Sequence, residues 1–156
     1  MYTAFTLPFS FMIHIFAIGS YVQTHVVGIL LAIIASYAVG FTWHGPLFGK
    51  QWMAVNNIPM PKKEDIKFSM MLPGLSANFV AVFVQSAVMG RAFQILEMPS
   101  IAHAFIITTI FWLPFTGLTI LNSNAWLGKS IKATLLDAGY YLVSLWAIAA
   151  VLYVTL

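Results

Sequence analysis

Cysteine is absent from this chain, and charged residues are scarce. Without cysteine there can be no disulfide, no thiolate metal ligand and no cysteine nucleophile. Cysteine usage therefore does not indicate whether the protein lies in an oxidising or a reducing compartment. Charged residues make up only 7% of the sequence, whereas a soluble domain carries about a quarter. Hydrophobic residues make up 61%. The composition therefore predicts an integral membrane protein.

The few charged and imidazole groups also restrict the possible functions. The net charge of +3 comes without any arm or stripe of lysine and arginine, which argues against a nucleic-acid partner. The acidic residues sit at predicted helix ends, and no HxxxH or HxxE spacing occurs. No catalytic triad can be assembled from these residues. We therefore expect a protein that is not an enzyme and has no metal site and no cofactor.

Stretches without charge define the candidate membrane spans, since a helix needs about 20 apolar residues to cross ~30 Å of hydrocarbon. The first 49 residues contain no Asp, Glu, Lys or Arg and are long enough for two spans, joined by a turn at residues 19–25. Three further spans follow. The predicted spans are Thr3–Gly19, Thr24–Trp43, Phe68–Gly90, Ile101–Leu121 and Ala138–Leu156.

The resulting prediction is an all-α, polytopic membrane helical bundle. Residues 1–23 form an additional N-terminal hydrophobic helix, and residues 24–156 form a domain of four transmembrane helices. An alternative is that Leu7–Gly19 is a short interfacial or re-entrant segment rather than a span. Residues 1–20 lack the basic n-region of a signal peptide, so we expect this segment to be retained.

The positions of lysine and arginine predict the orientation, because cytoplasmic loops are enriched in both. All six lysines lie in two amphipathic loops, residues 45–67 and 122–137, and Arg91 lies between the third and fourth spans. We expect both lysine loops on the cytoplasmic side of a bacterial inner membrane and the C-terminus outside. The first of these loops includes a predicted short surface helix at Gln51–Asn56.

Two features of the spans concern helix packing. Small residues recur every four positions along the second span and let another helix approach closely, within the monomer or between monomers. The residues are Thr24, Gly28, Ala32, Ser36 and Gly40, and His44 continues the series. Pro114 lies within the fourth span, where it removes a backbone donor and predicts a kink.

Ionisable groups at membrane depth are candidates for function because they are costly there. His14 could be an axial ligand to a porphyrin or chlorophyll or a proton relay, although a neutral histidine bonded to a neighbouring helix is favoured. His25 is the second candidate ligand. Asp137 is placed to cap the last span. The alternative for Asp137 is a small polar cluster with His44 or Lys50 at the cytoplasmic interface.

Two motifs resemble those of a known family. Residues 43–53 read WHGPLFGKQWM and are similar to a WYGPLFGKxWM signature, and residues 137–145 read DAGYYLVSL. Both resemble motifs of a small bacterial membrane family catalogued as domain of unknown function seventeen sixty-one. The resemblance covers about residues 24–156 and implies four membrane helices and no known activity. This chain departs from the pattern in having His44 in place of tyrosine and in its N-terminal segment.

Three hypotheses for function follow. The first is a non-enzymatic membrane subunit that packs against itself or other membrane proteins through the Gly28–Gly40 stripe. The second is a small transporter or channel, acting as an oligomer, with Pro114, His44 and Asp137 near its pathway. The third is a pigment or haem subunit that uses His14 or His25.

Overall fold

The computed structural model describes residues 17–60 and 67–156, and these residues form helices without any strand. We number the α-helices in chain order. They are α1 (Ile18–Thr24), α2 (Val26–Thr42), α3 (Gly49–Val55), α4 (Phe68–Ile95), α5 (Ile101–Trp112), α6 (Leu118–Trp126) and α7 (Ile131–Thr155). Two π-helical turns, Trp43–Leu47 and Leu113–Gly117, extend α2 and join α5 to α6.

Four helical segments are long and apolar enough to cross a membrane. They are Val26–Leu47, Phe68–Ile95, Ile101–Trp126 and Ile131–Thr155. The predicted class, an all-α multi-pass membrane bundle with four core spans, is therefore confirmed. The short surface helix is also present, as α3. Most of the predicted first span, with His14, and residues 61–66 lie outside the described residues.

The junction before α2 differs from the prediction. A turn was predicted at residues 19–25, but Ile18–Thr24 is helical and the helix is interrupted only at His25, which has φ −119° and ψ 23°. The Thr24 hydroxyl bonds back to the carbonyl of Ser20 at 3.0 Å, an arrangement that often bends a helix, and the interruption at His25 follows directly. Tyr21 of α1 is buried against the core, where it meets Gly90 of α4.

The beginning of α7 also differs. The last span was predicted from Ala138, but α7 starts at Ile131 and its cap is Ser130, whose hydroxyl accepts from the Ala133 N–H at 3.2 Å. The predicted loop 122–137 is thus reduced to residues 127–130. Asp137 lies inside the helix and does not cap it, so the capping prediction is wrong.

The small-residue stripe of α2 is used inside the chain. Gly28, Ala32 and Ser36 are buried, and α2 packs most extensively on α7. Gly28 meets Thr155, and the Ser36 and Ser144 hydroxyls are 2.8 Å apart in a buried hydrogen bond. A Cβ on Gly40 would lie 3.3 Å from the Tyr140 hydroxyl. The described stripe from Gly28 to Gly40 is therefore a seam within the monomer, which leaves little of it for contacts with other proteins.

Pro114 falls in the π-helical turn between α5 and α6. The N–H of Leu118 bonds to the carbonyl of Leu113, five residues back, which is the π-helical pattern. Gly117 is buried under the Trp112 ring, with ring atoms 3.1 Å from where a Cβ would lie. The irregularity predicted from Pro114 is present as a π-helical turn, after which the helix continues to Trp126.

Candidate functional site

The WHGPLFG segment folds the chain sharply at the end of α2. Gly45 has φ −104° and ψ −105°, outside the helical region, and turns the chain there. The Phe48 N–H bonds to the Trp43 carbonyl at 2.9 Å, which closes the π-helical turn around Pro46. A Cβ on Gly49 would overlap the His44 carbonyl oxygen. The two glycines thus allow α3 to begin directly after the turn and to lie against α7.

Gly139 of the DAGY motif contacts Trp43 of the WHGPLFGKQWM motif. Trp43 ring atoms would lie 3.3 Å from a Cβ on Gly139, so the ring packs directly on the α7 backbone. Phe48 packs against the same indole, with ring centroids 4.6 Å apart. Residues almost one hundred positions apart in the chain therefore form one packed unit.

Asp137 is the polar centre of this unit. The Trp52 indole N–H donates to its Oδ1 at 2.9 Å, and the Asn124 amide donates to its Oδ2 at 3.3 Å. The Lys129 ammonium is 4.0 Å from Oδ2, and the side chains of Lys129 and Asp137 are 34% and 20% exposed. The carboxylate is thus held by two neutral donors, with a weak and partly screened ion pair beside it.

His44 stands beside this group without bonding to it. Its Nδ1 is 3.2 Å from the Gly40 carbonyl, an acceptor, so Nδ1 carries the proton. The ring makes edge-on contacts with Trp52 and Tyr140, with centroids 5.2 and 4.6 Å apart. The hypothesis of a polar cluster is therefore refined. Asp137 and His44 share a site, but among the described residues Asp137 bonds to Trp52 and Asn124, not to His44 or Lys50.

These side chains surround a cavity of about 360 Å³ that is partly open to the surface. We call it the lysine-end pocket, because Lys50 of α3 and Lys129 before α7 lie at this end of the bundle. The residues lining it that matter below are His44, Trp52, Asn124, Asp137, Tyr140 and Tyr141. The two motifs that carry the family resemblance thus build one pocket.

A second cavity of about 360 Å³ lies farther along α7. We call it the midspan cavity. Tyr140 and Tyr141 line both cavities, so the two adjoin at these rings. Its polar lining residues are Asn78 and Gln85 of α4 and Ser144 of α7. Polar groups thus continue from the lysine-end pocket between α4 and α7 toward the middle of the spans.

The opposite end of the bundle holds His25. The Gln94 amide donates to its Nε2 at 3.2 Å, and its Nδ1 lies 2.7 Å from the Thr24 hydroxyl, so both ring nitrogens have partners. The ring also stacks on Tyr21 at 4.4 Å. To ligate a haem or chlorophyll, His25 would have to give up the Gln94 amide. Within residues 17–60 and 67–156, no group of three His, Asp or Glu side chains is placed to hold a metal ion.

Sequence reasoning named His44 and Asp137 but not Trp52, Tyr140, Tyr141 or Asn124 as site residues. Asn124 is the least obvious of these. It is only 5% exposed, and besides Asp137 its amide lies 3.3 Å from the Thr134 hydroxyl. The available signal was an asparagine inside an apolar segment, where an unpaired amide is costly. Its importance becomes visible only when α7 is known to start at Ile131, because this places Asp137 beside α6 instead of at a helix end.

Comparison with known proteins identifies a family but no function. A family model described as "Protein of unknown function (DUF1761)" matches residues 27–153, which include both motifs. No curated protein and no solved structure matches the chain significantly. The match extends over far more than half of the sequence and over all four spans except their outermost residues. The chain therefore belongs to the DUF1761 family of proteins of unknown function.

Proposed function

We propose that this protein is a small, non-enzymatic membrane transporter that binds a polar solute in the lysine-end pocket. One observation carries the proposal: the WHGPLFGKQWM and DAGY motifs converge on a single pocket whose centre is Asp137. Asp137 is the seventh residue of a 25-residue spanning helix. Ionisable residues within membrane spans commonly mark substrate or ion pathways.

The midspan cavity supports transport over binding alone. It adjoins the lysine-end pocket at Tyr140 and Tyr141, and it brings Asn78 and Gln85 of α4 next to α7. Gln85 also lines a third cavity, of about 490 Å³, between α4 and α5. A solute that leaves Asp137 would therefore meet amide and hydroxyl groups for part of the way through the bundle.

The proposed orientation places the lysine-end pocket on the cytoplasmic side of a bacterial inner membrane and the C-terminus outside. The support is that all six lysines lie in two stretches, residues 45–67, which include α3, and residues 122–137, which include the start of α7. All three cavities are partly open to the surface of the chain, so we propose an oligomer as the transporting unit. Neighbouring copies would then close the sides of the pathway.

Flux measurements test the transport proposal. Purified protein in liposomes would be given radiolabelled choline, glycerol or phosphate, and uptake would be compared with protein-free liposomes. We expect uptake of one of these solutes, reduced about tenfold or more by Asp137→Asn and by His44→Ala. Glu97→Gln, which removes a carboxylate at the opposite end, is the matched control. Absence of uptake of all three solutes, or uptake indifferent to both pocket variants, would contradict the proposal.

A second candidate function is that of a subunit in a homo-oligomer or larger membrane complex. It is favoured by the cavity between α4 and α5, which is lined mainly by apolar side chains such as Val88, Phe111 and Leu145. The Trp112 indole N–H is buried there without an acceptor among the described residues. A second copy of the chain could fill this space. Native mass measurement in mild detergent tests it, and a clean monomer would count against both this candidate and the proposed transporting oligomer.

A further inference from the structure

The lysine-end pocket combines one carboxylate with a wall of aromatic rings, and we propose that it recognises the ammonium group of a small organic cation. This proposal names the class of ligand that binds in the pocket of the proposed function. It rests on that function only because both concern the same pocket. Binding and transport can be measured separately.

The charge of the pocket favours a cation. Asp137 is the single charged residue among the described residues that line it. Each carboxylate oxygen accepts one bond from a neutral donor, Trp52 or Asn124. A carboxylate offers about four acceptor positions, so both oxygens keep room for a further donor. The Lys129 ammonium, at 4.0 Å, is beyond hydrogen-bond distance and does not fill that room.

The aromatic rings supply the second element of recognition. Trp52 and Tyr140 each meet His44 edge-on, and Tyr140 and Tyr141 lie 5.1 Å apart at an interplanar angle of 57°. All four of these residues line the pocket. Aromatic faces attract ammonium groups within about 6 Å, by roughly 0.5 to 2 kcal/mol each. An anion would be repelled by these faces and by Asp137 together.

The size of the pocket fits a compact ligand. Its volume of about 360 Å³ is at the lower end of the range of roughly 300–1,000 Å³ usual for small-molecule sites. A soluble amine and the ammonium headgroup of a membrane lipid both satisfy this chemistry. The pocket lies where α3, α6 and α7 meet at the end of the bundle, and both sources can reach that position.

Calorimetric titration with a matched pair of ligands tests the charge requirement. The full chain would be placed in nanodiscs of phosphatidylglycerol, which has no ammonium group. Choline and its neutral carbon isostere, 3,3-dimethyl-1-butanol, would each be titrated. We expect saturable binding of choline at least about tenfold tighter than that of the isostere.

Variants of the pocket test the residues. Asp137→Asn keeps the shape of the side chain and should weaken choline binding about tenfold or more, whereas the distant Glu97→Gln should leave it unchanged. Tyr141 is 43% exposed, so its replacement is tolerable for folding. Tyr141→Leu should weaken binding about two- to fivefold, and Tyr141→Phe, which keeps the ring, should not.

A change of lipid in the nanodiscs identifies the source of the ammonium group. If the headgroup of a lipid is the occupant, phosphatidylethanolamine in the nanodiscs should weaken the apparent binding of choline by competition. Unchanged choline binding assigns the site to a soluble amine. Three results would each overturn the proposal. They are equal binding of the isostere, absence of saturable choline binding, and choline binding that neither Asp137→Asn nor Tyr141→Leu changes.

The two proposals fail in different ways. Choline binding without flux of any solute would leave the ammonium site standing and remove transport. Uptake of phosphate or glycerol that depends on Asp137 would leave transport standing and overturn the ammonium class.

Discussion

Lys129 shows how a single neighbouring residue tunes the lysine-end pocket. Its ammonium lies 4.0 Å from Asp137, and its side chain is 34% exposed. At this exposure the pair contributes little to stability, but it places a competing positive charge beside the proposed ammonium site. The residue therefore bears more on ligand affinity than on folding.

We predict that Lys129→Gln raises the affinity for choline about two- to fivefold, because a repelling charge near Asp137 is removed. Calorimetry at low and at high salt measures it, and the gain should shrink as salt screens the charge. Lys132→Gln is the matched control, since Lys132 is exposed and no ion pair joins it to Asp137. A loss of affinity in Lys129→Gln would contradict the placement of the ligand beside Asp137.

The Ser36–Ser144 hydrogen bond is a second effect at the residue scale. It is buried, 2.8 Å long, and joins α2 to α7. Ser36→Ala removes this bond between the helices and should lower the free energy of unfolding by roughly 1 kcal/mol. A double-mutant cycle with Ser144→Ala, followed by unfolding in detergent, should give a coupling of roughly 0.6 to 1.7 kcal/mol, the range for bonds between membrane helices. Strictly additive effects would argue against the bond.

Among the elements, the four core helices could be predicted from the sequence and the contacts between them could not. Long uncharged stretches fix spans because bilayer thickness fixes their length. The start of α7 was misplaced by seven residues, since Lys132 and the polar Thr134 hid a helical turn capped by Ser130. That error concealed Asn124 as a partner of Asp137. Periodicity identified the α2 stripe but could not say which helix it meets.

At Gly49, the start of α3 depends on the absence of a side chain. A Cβ there would overlap the backbone carbonyl of His44, which cannot move without reshaping the π-helical turn. We predict that Gly49→Ala lowers the free energy of unfolding by roughly 1–3 kcal/mol and weakens ligand binding, because α3 carries Trp52. Thermal unfolding in detergent measures the first effect. Gly74→Ala, inside α4 and with nothing within 4 Å of its Cβ position, is the control and should not destabilise the protein, since alanine favours the helix more than glycine does.

The four spans together expose a large apolar surface. Between 17% and 28% of the residues in each candidate span are buried, and large side chains such as Phe115 and Val154 are 72% and 76% exposed. An apolar surface of this extent would associate in water. The lipid bilayer is thus part of what holds the four spans in place.

The absence of cysteine makes the orientation of the whole molecule directly testable. Two single cysteines, Leu127→Cys and Pro99→Cys, would lie at opposite ends of the bundle, both at exposed positions. In intact cells a membrane-impermeant maleimide should label Pro99→Cys, whereas Leu127→Cys should react only after permeabilisation. The reverse pattern would place the lysine-end pocket outside the cell.

The two proline-containing π-helical turns have a mechanical consequence. At Trp43–Leu47 and Leu113–Gly117 the regular i→i−4 ladder is interrupted, and each proline contributes no N–H. We expect these turns to be the points at which the two spans bend most easily. One joint lies next to His44, and Phe115 and Thr116 of the other line the cavity between α4 and α5. Bending at either turn would change the shape of the cavity it borders, the lysine-end pocket at the first and the cavity between α4 and α5 at the second.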